Sequence, residues 1–160
     1  MTPLRIGILT CSDGCVAGTR IDTAGPALAI LCSEQGWDVA AERLSADDTE
    51  AIQEAIVEMA DVLECDVVLT AGGTGLGPRD VTPEATLAVS EREVPGIAEA
   101  IRSLSLDVTK RAMLSRAVAS QRGSTLIVNL PGSEKAVRET FGFISDQLEH
   151  AIEMMAGEGH

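Results

Sequence analysis

The stretch Cys65-Asp66-Val67-Val68-Leu69-Thr70-Ala71-Gly72-Gly73-Thr74-Gly75-Leu76-Gly77-Pro78-Arg79-Asp80-Val81-Thr82-Pro83-Glu84 decides how this chain folds. Its opening is short, apolar and rich in β-branched residues, which fits a buried strand. Its close carries a helix start, with Thr82 as cap and Pro83 at the first helical position. A buried strand therefore empties into a glycine-rich turn that opens a helix. Gly72, Gly73 and Gly75 can take positive φ and bring backbone N–H groups against an anion. Arg79 and Asp80 add a cation and a candidate metal ligand at the same place. The turn reads as a phosphate site. It is neither GxGxxG nor a Walker A loop, because no Gly-Lys-Ser/Thr follows.

The flanking sequence repeats the strand–helix theme. Leu4–Thr10 reads as a first buried strand, and a polar loop over 11–23 leads to a helix from about Ala24 to Gln35. Asp38 to Leu44 reads as a second strand. Asp47 or Asp48 then caps a helix whose Ile52, Ile56, Met59 and Leu63 share one face. Beyond the glycine turn, Pro95–Leu106 is helical, and 117–119 with 124–130 forms a hairpin. Ser133 caps a closing helix from about Glu134 to Met155. The order β-α-β-α-β, then helices, strands and a last helix, predicts a single α/β domain over 1–160. A mostly parallel sheet with helices on both faces is expected.

Composition narrows the function. Among the 160 residues there is no Tyr, two Phe and one Trp, so the core is aliphatic and aromatic platforms for base stacking are missing. The net charge of −13 opposes nucleic acid and anionic membranes. It is uneven: residues 1–66 carry 3 basic and 13 acidic side chains, residues 67–160 carry 9 and 12. The second half suits an anionic ligand better, with a divalent cation to help. Cys11, Cys15, Cys32 and Cys65 match neither a disulfide framework nor a zinc motif and are expected to be reduced and mostly buried. Without a signal peptide or a membrane-length apolar run, a cytoplasmic location is expected.

In a parallel sheet, ligands collect beyond the carboxyl ends of the strands. Four polar loops leave strands there: 10–23, 45–48, 70–80 and 131–133. Together they offer Asp13, Asp22, Asp47, Asp80, Arg79, Thr74 and Ser133. That set suits a nucleotide's phosphate chain and Mg²⁺, which takes one or two carboxylates with phosphate oxygens and water, with Arg79 or Arg116 to offset the remaining charge. Plainer roles stand beside these: Asp47 as a helix cap, Asp80 as a loop brace, Ser133 as a cap, Arg116 and Lys135 as surface charges. No histidine lies near these loops, so a Ser-His-Asp nucleophile has little support.

Ser12-Asp13, Asp22-Thr23-Ala24-Gly25, Gly72-Gly73-Thr74-Gly75, Arg79-Asp80-Val81-Thr82-Pro83-Glu84-Ala85-Thr86, Pro95-Gly96, Met113-Leu114-Ser115-Arg116 and Asn129-Leu130-Pro131-Gly132-Ser133 come in an order that resembles the MogA/MoaB family of molybdenum cofactor biosynthesis. The resemblance runs from Leu4 to Met155 and is stronger to the MogA type. It implies an adenylyltransferase that uses ATP and Mg²⁺ to activate molybdopterin and passes the product to a MoeA-like molybdenum insertase. It carries the family's two functional aspartates onto Asp47 and Asp80. Gly72, Gly73, Thr74 and Gly75 fall in its phosphate and pterin site, with Ser115, Pro131, Gly132 and Ser133 at the border. A homotrimer is implied, with a hexamer as the variant, and a non-catalytic MoaB-like pterin binder is the alternative. Ser120 departs from the family pattern, where Gly is usual.

Overall fold

The computed structural model describes residues 2–158. Six strands form one sheet: β1 (Arg5–Cys11), β2 (Asp38–Ser45), β3 (Val67–Ala71), β4 (Arg92–Glu93), β5 (Ala119–Arg122) and β6 (Thr125–Leu130). Their spatial order is β2-β1-β3-β6-β5-β4. The first four in that order run parallel, and β5 pairs antiparallel with both β6 and β4. The helices are α1 (Asp13–Ala17), α2 (Ala24–Glu34), α3 (Thr49–Val57), α4 (Thr82–Ala88), α5 (Pro95–Ser105) and α6 (Glu134–Met155). The expected α/β class and alternation hold.

Strand alternation divides the core in two. Val67, Leu69, Ala71, Leu126, Val128 and Leu130 pack with Leu28, Ile101, Phe141, Ile144 and Leu148 on the face covered by α2, α5 and α6. Leu9, Val68 and Ile127 pack with Ile52, Ile56 and Ala85 from α3 and α4 on the other. Both faces are dry, which is why the parallel strands read as nearly continuous apolar runs.

Where local signals misled, a tertiary partner explains the shift. Thr82 was expected to cap α4 but is its first helical residue; Val81 occupies the cap position and offers no side-chain bond. The Thr82 N–H goes to the Gly73 carbonyl at 3.2 Å, and its hydroxyl turns inward. The polar 11–23 loop contains a helical turn, α1, capped by Ser12 through a bond from the Cys15 N–H. β4 is too short to have a sequence period and exists by pairing with β5. At Ser120 the unusual hydroxyl is fully buried and lies 2.7 Å from Ser90 Oγ, which also bonds the Thr86 carbonyl.

One polar residue ties the sheet to α4. Buried Asn129 on β6 donates from Nδ2 to Thr70 Oγ1 and Thr86 Oγ1, each at 3.0 Å, and accepts the Val118 N–H at 3.2 Å. Asn129→Leu would strand those partners away from water. The expected cost is about 3 kcal/mol, or a melting temperature lower by roughly 6–12 °C in a calorimetric scan.

Candidate active site

The chain moves from β1 outward to β2, then back past β1 to β3, so the sheet reverses its winding between β1 and β3. A crevice opens at that switch point beyond the carboxyl ends. It is a cleft of about 270 Å³ whose walls include Thr10, Ser12, Asp47, Asp80, Gly132 and the run Ala71–Gly75. Gly72 and Gly132 make the convergence possible. A Cβ at 132 would stand 3.2 Å from the Gly72 Cα, so the β3 and β6 turns touch backbone to backbone.

Asp48, not Asp47, caps α3, by accepting the Ala51 N–H at 2.9 Å. That frees Asp47 to face the cleft. Asp47 Oδ2 accepts the Asp13 N–H and Asp13 Oδ1 accepts the Asp47 N–H, both at 2.9 Å, a reciprocal clasp between the β1 and β2 loops. Burial raises the Asp47 carboxyl above the usual carboxylate range; the clasp opposes this, while the charges of Asp13 and Asp80 add to it. Asp80 reaches the same cleft from the glycine turn, with Oδ2 accepting the Gly77 N–H at 2.9 Å.

The glycine turn presents donors. The Gly72 N–H is taken by the Leu130 carbonyl at 3.1 Å. The N–H groups of Gly73, Thr74 and Gly75 make no hydrogen bond among the described residues. Three consecutive amides are thus left along one wall, a ready anion cradle.

The predicted arginines are engaged elsewhere. Arg79 forks onto Asp13 through Nε and Nη2 at 3.0 and 3.1 Å, which holds the Asp13 carboxyl below its usual range. Arg116 laces the turn together: Nε bonds the Gly75 carbonyl at 2.8 Å, Nη2 the Asp80 carbonyl at 2.7 Å, and Nη1 the Glu84 carboxylate. Ser133 caps α6 through the Ala136 N–H. Asp22, from the same polar loop, clamps Thr10 and the Gly25 N–H, each at 3.0 Å. Asp22 lines the cleft, while Arg79, Arg116 and Ser133 brace the loops around it.

A second, mostly apolar pocket of about 480 Å³ adjoins the first through Thr74 and Gly75. Ile101, Leu114, Ala117 and Pro131 line it, with Ser115 at its edge. A polar trough and an apolar socket therefore meet at the glycine turn, a layout suited to a ligand with both a phosphate chain and a planar ring.

The sequence pattern of the family described as probable molybdopterin binding domain matches residues 7–150. The chain belongs to this family. Molybdopterin adenylyltransferase of Escherichia coli K12 is 40% identical over 154 residues, covering 91% of this chain and 76% of that protein. Molybdenum cofactor synthesis protein cinnamon of Drosophila melanogaster is 41% identical over 159 residues, covering 99% of this chain. The chain spans only 26% of the length of that larger protein. The crystal structure of the molybdopterin biosynthesis enzyme MoaB from Thermus thermophilus superposes with a TM-score of 0.91 at 45% identity, covering 96% of this chain and 97% of that one.

Two residues at the cleft, one lining it and one buried behind it, escaped the sequence analysis. Arg20 lines the cleft and, among the described residues, makes no ion pair. The signal was available: it is the sole cation of the 11–23 loop. Thr82 looked like a cap, and nothing in its spacing reveals that its hydroxyl turns toward Asp47.

Proposed function

We propose that this chain is a molybdopterin adenylyltransferase, a nucleotidyltransferase that moves AMP from ATP to the terminal phosphate of molybdopterin and releases pyrophosphate. The observation that carries this reading is the polar wall itself. Three unpaired backbone N–H groups share one cleft with aspartates from two separate loops. The adenylyltransferase relatives support the choice of reaction.

The attacking group is a phosphate oxygen of molybdopterin. A phosphate monoester has a second pKa of about 6, so it arrives deprotonated and needs no general base. Its oxygen forms a bond to the α-phosphorus of ATP as the bond from that phosphorus to the bridging oxygen breaks, and the electron pair leaves on pyrophosphate. Alignment and charge dispersal are what remain for the protein to supply. The amides of Gly73, Thr74 and Gly75 bind phosphate oxygens. Arg20 is the cation available to the departing pyrophosphate.

Asp47 and Asp80 would hold Mg²⁺. Among the described residues no three of His, Cys, Asp and Glu gather as a self-sufficient metal cage. Magnesium needs fewer protein ligands, and the buried Asp47 Oδ1 without a hydrogen-bond partner fits such a role. When bound, the ion neutralises charge on the triphosphate oxygens.

The apolar socket holds one of the two ring systems. Exposed Leu76, Leu104, Leu106, Val108, Met113 and Leu114 support assembly, here as a homotrimer, with a hexamer as the variant. The adenylylated product is the substrate of a MoeA-like molybdenum insertase. No described helix is long and apolar enough to cross a membrane, and we place the protein in the cytoplasm.

The test is pyrophosphate release by purified protein with ATP, Mg²⁺ and molybdopterin, omitting each in turn. Release that requires all three is expected. The MoaB likeness favours a second reading, a pterin-binding protein without catalysis. Tight pterin binding with no pyrophosphate would select it, and ATP hydrolysis without pterin would sink both.

A further inference from the structure

Behind Gly73 two oxygens stand without partners. Asp47 Oδ1 and Thr82 Oγ1 are both buried, and neither makes a hydrogen bond among the described residues. They address one spot: a Cβ built on Gly73 would collide with Thr82 Oγ1 and stand 3.3 Å from Asp47 Oδ1. Gly73 adopts φ +69, and its carbonyl holds the Thr82 N–H, so the hydroxyl is fixed beside the glycine. The adjoining Cys11 thiol is a weak partner that burial keeps protonated, its pKa pushed up to about 12.

Threonine is a costly choice for such a place. Valine has the same shape and would fill it without burying an unsatisfied hydroxyl. The Cys11 thiol offers the hydroxyl only a weak contact, whereas the carboxylate of Asp47 beside it offers a strong one. We propose that Thr82 is the positioning residue for Asp47: when the cleft fills and the Asp47 carboxylate closes on it, the fixed hydroxyl turns its hydrogen about the Cβ–Oγ1 bond and donates to Oδ1. The Asp13 N–H already holds Oδ2 at 2.9 Å. With both oxygens held, the carboxylate plane is fixed and the remaining lone pairs are directed into the cleft. The proposal rests on the adenylyltransferase reading only for its effect on turnover.

Thr82→Val removes the hydroxyl and keeps the shape; Thr82→Ser keeps the hydroxyl. Each is compared with wild type by thermal melt, by Mn²⁺ binding in the presence of ATP followed by electron paramagnetic resonance, and by kcat and KM. T82V is expected to melt at or above wild type, to lose about 10- to 50-fold in kcat with the KM for molybdopterin within about 2-fold, and to bind Mn²⁺ about 5- to 10-fold more weakly. T82S is expected to stay within about 3-fold of wild type in each measurement. Added to Asp47→Asn, T82V is expected to change kcat by less than about 2-fold, because the carboxylate that the hydroxyl orients is already gone. A lower melting temperature for T82V, wild-type kcat in T82V, or a further multiplicative loss in the double variant would overturn the proposal. Wild-type protein that releases no pyrophosphate would instead overturn the assigned activity. The melts and the Mn²⁺ series would then still decide the role of Thr82.

Discussion

Asp47→Asn is expected to lower turnover by about 100- to 1,000-fold while raising the melting temperature at pH 7 by roughly 2–5 °C. The substitution keeps the shape and the clasp, because an amide oxygen accepts the Asp13 N–H as the carboxylate does. The new NH₂ replaces Oδ1 and can donate to the Thr82 hydroxyl, giving both buried atoms a partner. What is lost is the charge.

The pH dependence has a definite sign. Burial raises the Asp47 pKa in the folded chain, so the folded state binds this proton more tightly than the unfolded state. The stability this supplies is complete below the unfolded pKa, near 4, and is lost as pH rises through the folded value. At neutral pH the wild type carries a carboxylate where its surroundings disfavour one, and the asparagine variant does not. The gap in melting temperature is therefore expected to be widest at pH 7 and to close as pH falls toward about 4. Asp13 runs the opposite way, its carboxyl held low by Arg79, but the Arg79 pairing is present in both proteins. Scans in metal-free buffer from pH 4 to 8 measure the gap. An equal gap at every pH would sink the electrostatic account. Asp80→Asn is expected to share the loss of turnover and to leave pterin binding near wild type.

The strand–turn–helix reading of Val67 to Thr82, with the β-α alternation around it, was enough to predict the mostly parallel sheet with helices on both faces. Each feature there is local: a β-branched run, glycines, proline near a helix start. Asp80 was legible from the glycine turn it belongs to and Asp47 from a polar loop at the carboxyl edge of the strands; the resemblance then singled out this pair from the other acidic residues there. Local rules could not choose between Asp47 and Asp48 as the α3 cap. The choice follows from the clasp with Asp13, a contact 34 residues away in sequence. Arg79 and Arg116 looked available because a sequence shows charge and not pairing; their carboxylate partners lie 66 and 32 residues away. Thr82 failed in the same way. Its capping signal was overridden once Gly73 took its N–H and the hydroxyl turned inward.

Gly72→Ala is expected to destabilise the fold by about 4 kcal/mol, lowering the melting temperature by roughly 8–16 °C. Gly72 sits at φ +98, where a Cβ is strained, and that Cβ would come within 2.5 Å of the Cys11 carbonyl oxygen. The obstacle is backbone at the end of β1, so no rotamer change relieves it. Relief requires the β1 and β3 ends to part, which also pulls the turn from Gly132 and moves the amides of Gly73 to Gly75 away from Asp47. Gly36→Ala separates the two causes. Gly36 has a similar φ of +82, but a Cβ there meets nothing within 4 Å. Conformational strain alone predicts a loss of about 1 kcal/mol at that position and unchanged turnover. Should the two variants melt together, the close approach of the β1 and β3 ends would not be what demands glycine at 72. If G72A is the far less stable and also loses nucleotide binding, the same backbone contact that closes the sheet also builds the cradle.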